Sequence, residues 1–410
     1  MFFLIKIIST ELGPDGFGRL GHYMSMIAIL TVLSGGGIFN GVIKYVSEFR
    51  SKPIKLMRFI SSAASYSLFV GLLIFGIGVV FSKYISIILF GTEDFSWTII
   101  LLSIVQLLLG FSMLVNGIAN GLKATYVFVS IQIFGNVLSI PAVYILTSLY
   151  GLKGAAVGLA FSLASFTLPA YYYYKTSHLK KLVKISFVTN RHFYNLSGYS
   201  AMALMSAITF PIVEILIRQM IVYHLDYTSA GIWQAGIKLS SAYVGFFTMF
   251  LALYFVPIIS EQENKKIISH QIFLYIFVLS LVFIMGASVF YIFREHVVFI
   301  LFSEKFNILN QIIYYQLIGD YFKIVAYVIG YVAVAKAATK LYIFAEIFQS
   351  VLFFVLSRIL FSMNQDIVSI MQAYVCTYFL YFVVCLISLY IYLMKKNTRP
   401  IGAVDGEILC

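Results

Sequence analysis

The sequence predicts an all-α integral membrane protein of about twelve transmembrane helices, arranged as two six-helix lobes. Three observations carry that expectation. Hydrophobic residues make up 61% of the 410-residue chain and charged residues only 11%, against about 45–50% and 25% in soluble domains. Mean hydropathy is +0.96, and apolar runs recur along the whole length, which excludes a single anchor. Lys and Arg alternate between rich and poor loops. No compact soluble core hides that much apolar surface, so lipid must solvate the chain.

Taken in order, the first run is Met1–Leu12. At ~1.5 Å per residue it covers roughly 18 Å of a hydrocarbon core ~30 Å thick. Lys6 lies in its middle and no basic stretch precedes it, so a cleavable signal peptide is not expected. The short run reads as a first helix completed by lipid thinning, or as a chain begun from a late start codon. Eleven full spans follow, at 24–43, 59–81, 98–118, 126–149, 154–174, 197–220, 231–257, 271–293, 309–335, 341–362 and 367–394. The loops after even-numbered spans, with the tail, hold eighteen Lys/Arg, including Lys44, Arg50, Lys52, Lys55 and Arg58. The opposite loops hold five: Arg19, Lys83, Lys153, Arg294 and Lys305. That asymmetry puts both termini in the cytoplasm and suits twelve spans. The expected organisation is therefore an N-terminal lobe over 1–174, a basic cytoplasmic loop over 175–196, a C-terminal lobe over 197–394 and a cytoplasmic tail over 395–410. No loop exceeds about 22 residues, which leaves no room for a catalytic domain outside the membrane.

The halves echo one another. The stretch 123–138 matches 337–352 at an offset of 214, and Gly16-Phe17-Gly18 matches Ser229-Ala230-Gly231 at 213. An even number of spans per half makes these parallel repeats about an axis along the membrane normal, an arrangement that transporters use around a central cavity. Gly37/Gly41, Gly117/Gly121 and Gly154/Gly158 have the spacing that lets helix backbones approach.

Ionisable residues inside spans cost at least about 2.5–3.5 kcal/mol at the helix centre, so each needs a partner or a wet cavity. Glu214 and Arg218 lie four apart, and Asp320 and Lys323 three apart, each pair on one helix face. Lys238, Glu346 and Arg358 have no oppositely charged residue one turn away in the sequence, although Gln349 lies one turn on from Glu346. Against these charges the first half sets Asn40, Gln106, Asn116, Gln132 and Asn136. A cavity with one charged and one polar wall, slightly cationic, suits an anionic substrate. The two pairs could equally be neutralised packing contacts, and Lys238 and Arg358 could snorkel to an interface. A lone membrane carboxylate such as Glu346 is also the kind of group that couples transport to a proton or ion gradient.

Several signatures are missing. There is no phosphate-binding loop, so no nucleotide hydrolysis is expected in cis. Cys376, Cys385 and Cys410 form neither a disulfide framework nor a metal spacing, and no catalytic residue, metal or cofactor is expected. The six histidines lie in or beside loops and read as solvated. A net charge of +12 reports cytoplasmic loops here and not nucleic-acid binding. Tyr171–Tyr174 suit an interfacial aromatic belt.

Four stretches carry a resemblance. They are Gly35-Gly36-Gly37-Ile38-Phe39-Asn40-Gly41-Val42-Ile43-Lys44-Tyr45-Val46, Gly231-Ile232-Trp233-Gln234, Leu301-Phe302-Ser303-Glu304-Lys305-Phe306, and the run from Gln316 through Asp320 and Lys323 to Glu346. With them the chain resembles the Wzx-type flippases of the polysaccharide transporter family, in the MOP superfamily that includes the MATE exporters, and in particular the lipid III flippase branch. Asp320, Lys323 and Glu346 match positions in that branch, while Glu214 and Arg218 have no counterpart there. The resemblance implies a bacterial inner-membrane flippase carrying an undecaprenyl-diphosphate-linked glycan, an O-antigen repeat unit or lipid III, to the periplasmic leaflet by alternating access. It also implies the polysaccharide polymerase and the chain-length regulator as partners. Arg218, Lys238, Lys323 and Arg358 are then candidates for the diphosphate, and Lys44 for gathering the headgroup. Asn40, Gln132 and Asn136 are candidates for the polar wall of the same substrate cavity, and Glu214, Asp320 and Glu346 for coupling or ion pairing. A MATE-like exporter of small organic cations is the alternative, but that class predicts acidic residues in spans 2–6, which hold none. A membrane polysaccharide polymerase or ligase needs a long periplasmic loop, which is also missing.

Overall fold

The computed structural model describes residues 2–177, 190–336 and 338–394. The expected inter-lobe loop lies mostly outside them, with His178, and so does the tail with Cys410. Among the described residues there are helices and no strand. In chain order the α-helices are α1 (Phe2–Leu33), α2 (Phe39–Phe49), α3 (Pro53–Val80), α4 (Ser82–Phe90), α5 (Ser96–Gly121), α6 (Thr125–Ala164), α7 (Thr167–Thr176), α8 (Asn190–His224) and α9 (Tyr227–Phe250). They continue as α10 (Val256–Glu261), α11 (Lys265–Ile292), α12 (Arg294–Leu301), α13 (Leu309–Ala335), α14 (Thr339–Asn364) and α15 (Ile367–Met394).

Among the described residues, ten helical runs are long and apolar enough to cross a membrane. Two of them, Phe3–Phe49 and Thr125–Thr176, have 47 and 52 residues. At ~1.5 Å per residue each would be more than twice the ~30 Å hydrocarbon core. Both turn at a glycine held at positive φ, Gly13 (φ 64°) and Gly151 (φ 55°), a conformation that a side chain would strain. Divided there, the ten runs become twelve transmembrane segments. Pro14, just after the first turn, stands where a helix start does not need its missing N–H.

Packing gathers the described residues into two compact units. One draws on Met1–Gly236, Arg294–Gln311 and Gln365–Ile367, the other on Ile237–Phe293, Ile312–Asn364 and Val368–Cys410. The repeat predicts a division within 175–196; contact groups α8 and the start of α9 with the preceding helices.

The reason lies in how α1 is packed inside the first unit. A Cβ on Gly18 would overlap the Tyr227 carbonyl oxygen, and one on Gly231 the Pro14 carbonyl oxygen. The same hypothetical atoms would lie 2.8 Å from the Gly231 nitrogen and 3.0 Å from the Gly18 nitrogen. Residues 14 and 18 thus meet residues 227 and 231, at the repeat offset of 213, in a reciprocal contact of backbone on backbone. Beside it, Phe17 packs edge-on against Phe302 and Phe306 at 6.3 and 6.0 Å. Elsewhere in this unit Gly117 and Gly121 of α5 lie against Val42 and Val46 of α2. There the glycine spacing supports close helix packing as expected.

Lys6 also finds its explanation here. Its Nζ donates to the carbonyls of Phe299 (2.8 Å) and Phe302 (2.7 Å), and the Thr10 hydroxyl donates to the latter at 3.1 Å. These are carbonyls at the C-terminal end of α12, where a cation complements both unpaired acceptors and the helix dipole. Lys6→Met is expected to destabilise the protein by about 1–2 kcal/mol, visible as a lower melting temperature in detergent. An unchanged melting curve would mean that Thr10 suffices.

Candidate functional site

Among the described residues, a buried ionic network in each unit brings together some of the ionisable residues singled out in the sequence.

In the first unit Arg218 of α8 is fully enclosed. Its guanidinium lies over the Trp233 ring, 5.6 Å from the centroid, and donates to His22 Nδ1 at 3.3 Å, to Ser25 Oγ at 3.4 Å and to Gln234 Oε1. A guanidinium only donates, so His22 Nδ1 accepts and carries its proton on Nε2. Ser25 in turn donates to Glu214 Oε2 at 3.0 Å. Glu214 and Arg218 therefore communicate through Ser25 of α1. The expectation that all histidines are solvated fails at His22, which is 4% exposed. Gly21 allows this, because a Cβ there would collide with the Arg218 side chain. The sequence signal was the stripe Gly18, Gly21, His22, Ser25, small or polar at helical spacing on an otherwise apolar helix.

In the second unit Asp320 of α13 is fully buried. It accepts from Ser240 Oγ (2.7 Å), the Tyr374 hydroxyl (2.6 Å), the Tyr243 hydroxyl and Gln316 Nε2 (3.3 Å). Four neutral donors disperse its charge, the condition under which a buried carboxylate is tolerated. Lys323, one turn on, donates from Nζ to the same Tyr374 hydroxyl at 3.3 Å. The ammonium also faces the rings of Tyr378, Tyr374 and Tyr327, at 4.7, 5.6 and 5.9 Å from their centroids. Aromatic faces stabilise a cation without neutralising it, by about 0.5–2 kcal/mol each. Asp320 and Lys323 thus share Tyr374, and the tyrosines are members that charge-spotting alone does not find.

Beside this cage is a cavity of about 410 Å³ between α13, α14 and α15, which takes in Tyr327, Tyr331, Tyr342, Tyr381, Lys336 and Glu346. Glu346 is half-buried and accepts from Gln349 Nε2 at 2.7 Å.

The other expected site residues are scattered. Lys238 is half-buried on α9. Arg358 is exposed towards the end of α14, and Asn40 and Lys44 are exposed on α2, Lys44 with its ammonium 5.2 Å from the Tyr45 ring centroid. Asn136 Nδ2 donates to the Gln132 carbonyl at 2.7 Å, so this amide serves its own helix. Gln106 Nε2 donates to the Gly71 carbonyl at 2.7 Å and ties α5 to α3. Among the described residues no group of three or more His, Cys, Asp or Glu could hold a metal ion.

Twelve apolar segments, glycine-notched helix contacts and two buried ionic networks define a multi-pass helical membrane protein of the transporter type. The same fold is found in an inward-facing multidrug resistance MATE family transporter of the MOP superfamily, with a TM-score of 0.79 at 12% identity, covering 97% of this chain and 95% of that one. It is found again in the lipid II flippase MurJ in an inward closed conformation, with a TM-score of 0.73 at 14% identity over 98% and 91%. The chain belongs to the polysaccharide biosynthesis protein family, whose model matches residues 2–263. It is 30% identical to the lipid III flippases of Escherichia coli (strain K12) and Shigella flexneri, over 93% of this chain and 91% of each relative.

Proposed function

We propose that the protein is a flippase that moves an undecaprenyl-diphosphate-linked oligosaccharide from the cytoplasmic to the periplasmic leaflet of a bacterial inner membrane, by alternating access. The full-length similarity to lipid III flippases carries this reading. The chemistry of Lys323 supports it. A diphosphate crossing the membrane needs cationic partners. Lys323 offers an ammonium held among the rings of Tyr327, Tyr374 and Tyr378, beside an Asp320 that accepts from four neutral donors. Exposed Arg50, Lys52, Lys55 and Arg58 around the α2–α3 turn form a basic cluster suited to collecting anionic headgroups at the cytoplasmic face. Flipping makes and breaks no covalent bond, so the reading needs no catalytic residue. Its product would pass to the polysaccharide polymerase, whose chain-length regulator then sets the extent of assembly. We assign Arg218 to holding α1, α8 and α9 together, because its guanidinium is enclosed and already has three acceptors.

Complementation tests the function. Expressed in a strain deleted for its own lipid-linked glycan flippases, the chain should restore a surface glycan ladder on a gel; failure in several glycan backgrounds, with the protein present in the membrane, would refute it. Lys323→Gln is expected to abolish the ladder at unchanged membrane levels. If the protein itself disappears, Lys323 is a packing residue and the diphosphate assignment fails.

A further inference from the structure

The cavity between α13, α14 and α15 follows α15 for about three turns. Tyr381, Val384, Cys385, Ser388, Leu389 and Tyr392 all line it, three or four apart and therefore on one helix face. From Tyr381 to Tyr392 that stripe is about 16 Å long, more than half of the ~30 Å hydrocarbon core. The other helices add Ile329, Val332, Ala333, Leu341, Phe344 and Phe348, so the walls are mostly hydrocarbon. Leu341, Phe344 and Ser388 line the cavity and are exposed, so it opens on the surface of the unit. Its one carboxylate, Glu346, accepts from Gln349 Nε2 at 2.7 Å and from the Tyr342 hydroxyl, and needs no donor from an occupant. One end of the stripe is basic. Lys336 lines the cavity, and its Nζ donates to the Gln262 carbonyl. Lys265 Nζ donates to the Tyr392 carbonyl at 2.8 Å and lies 5.1 Å from the centroid of that residue's ring. A neutral carbonyl holds an ammonium in place without cancelling its charge. Lys266 and Lys340 are exposed beside them in the chain, and the four lysines outnumber Glu261 and Glu263, the carboxylates of the same turn.

We propose that this cavity holds one acyl chain of an anionic glycerophospholipid of the cytoplasmic leaflet, with the lipid phosphate at Lys336 and Lys265. The chain removes the apolar stripe from water, and the phosphate accepts charge-assisted bonds from the ammonium groups. The basic end is the one that loop charge assigns to the cytoplasm, the side on which basic pockets between transmembrane helices take anionic lipid headgroups. An undecaprenyl carrier also joins a hydrocarbon to a phosphate, but its chain is far too large for about 410 Å³. A chain lodged here would also hold the carrier's headgroup in the leaflet that it has to leave. The site is therefore distinct from the transport route, and the proposal does not depend on the flippase reading. A lipid seated in this way ties the cytoplasmic ends of α11, α13 and α15 together. The stability of the second unit then follows the anionic lipid content of the membrane around it.

The test is lipid binding to the purified full chain in detergent, read by native mass spectrometry and by the shift in melting temperature. The probes are dioleoylphosphatidylglycerol and dioleoylphosphatidylcholine, which share their chains and differ in headgroup charge. The expected result is that phosphatidylglycerol stays bound as a single tight copy and raises the melting temperature more than phosphatidylcholine does. Lys336→Gln and Lys265→Gln should each weaken phosphatidylglycerol binding about fivefold, and together about thirtyfold, while leaving phosphatidylcholine unchanged. Val384→Trp, which fills the cavity from its exposed edge, should lose the tight copy. Ser388→Phe, one turn on, makes the same test if Val384→Trp does not melt cooperatively in lipid-free detergent. Equal binding of the two lipids would mean plain solvation of an apolar surface and overturns the proposal. Tight binding that survives the cavity-filling substitutions would place the lipid elsewhere and overturns it too. Displacement of phosphatidylglycerol by an equal concentration of undecaprenyl phosphate would mark a carrier site, and stabilisation by tetraphenylphosphonium that Glu346→Gln removes would mark a cation site; either result refutes it.

Discussion

Arg218→Ala is expected to remove the protein from the membrane, not simply to slow it. The substitution takes the shared donor away from His22, Ser25 and Gln234, leaves the Ser25-bound Glu214 carboxylate enclosed without its counter-charge, and opens a cavity beneath Trp233. Breaking a buried charge pair from one side costs about 3–5 kcal/mol, a large part of the stability of an ordinary protein. Arg218→Lys keeps the charge but loses the planar fork that reaches three acceptors at once, so it should fall between. The most informative variant is Arg218→Met combined with Glu214→Gln. Removing both charges abolishes the uncompensated ion, and the pair should be more stable than Arg218→Met alone. Trp233, against the guanidinium, supplies the fluorescence readout. Normal membrane levels and melting with export lost would instead mean that Arg218 touches the substrate.

Gly231→Ala and Gly18→Ala should each be strongly destabilising, far more so than alanine at an uncrowded helical glycine of the first unit. At both positions the obstacle is a carbonyl oxygen of the opposing backbone, which cannot rotate aside as a side chain can. The helices must separate, at a cost of about 1–3 kcal/mol or more. Because the two residues occupy one contact, the double variant should cost little more than either single one. Gly76 on α3 provides the control, since nothing lies within 4 Å of a Cβ there and alanine should stabilise the helix by about 0.5–1 kcal/mol. Thermal melting of the three variants in one detergent gives the comparison; a Gly231→Ala protein that melts like wild type would show that this contact opens freely.

The helices were legible in the sequence because lipid imposes a single rule, long apolar runs with their backbone bonds satisfied internally. Where two segments join through a glycine turn, as at Gly13 and Gly151, the polar break is so short that one helical run continues across it, and the segments are told apart by the apolar runs on either side and by loop charge. The site was legible in its charges and not in its partners. Asp320, Lys323 and Glu346 stand out because an ionisable residue is rare in an apolar helix. Tyr243, Tyr374 and Tyr378 do not, because 30 tyrosines are spread through this chain and nothing local distinguishes a hydroxyl that serves Asp320 from one at a lipid headgroup. His22 was misread for a related reason. Its position near a loop suggested water, whereas its neighbours Gly18 and Gly21 had removed the side chains that would have held it at the surface. The reciprocal contact of Gly18 with Gly231 was visible only as an echo of two tripeptides, whose meeting in space no spacing rule predicts.

The bonds from Lys6 to the end of α12 join groups 293 and 296 residues apart. At a synthesis rate of about 5–20 residues per second, the first segment leaves the ribosome roughly 15–60 s before its carbonyl partners exist. During that interval its ammonium has no native acceptor, and the face of α1 that will receive Tyr227, Gly231 and Phe302 is open to lipid. Biogenesis therefore passes through a waiting stage in which Lys6 is made long before the carbonyls that secure it. A ribosome stalled after α11 would leave that segment accessible to cysteine-directed labelling, and resumed synthesis through Phe306 would protect it.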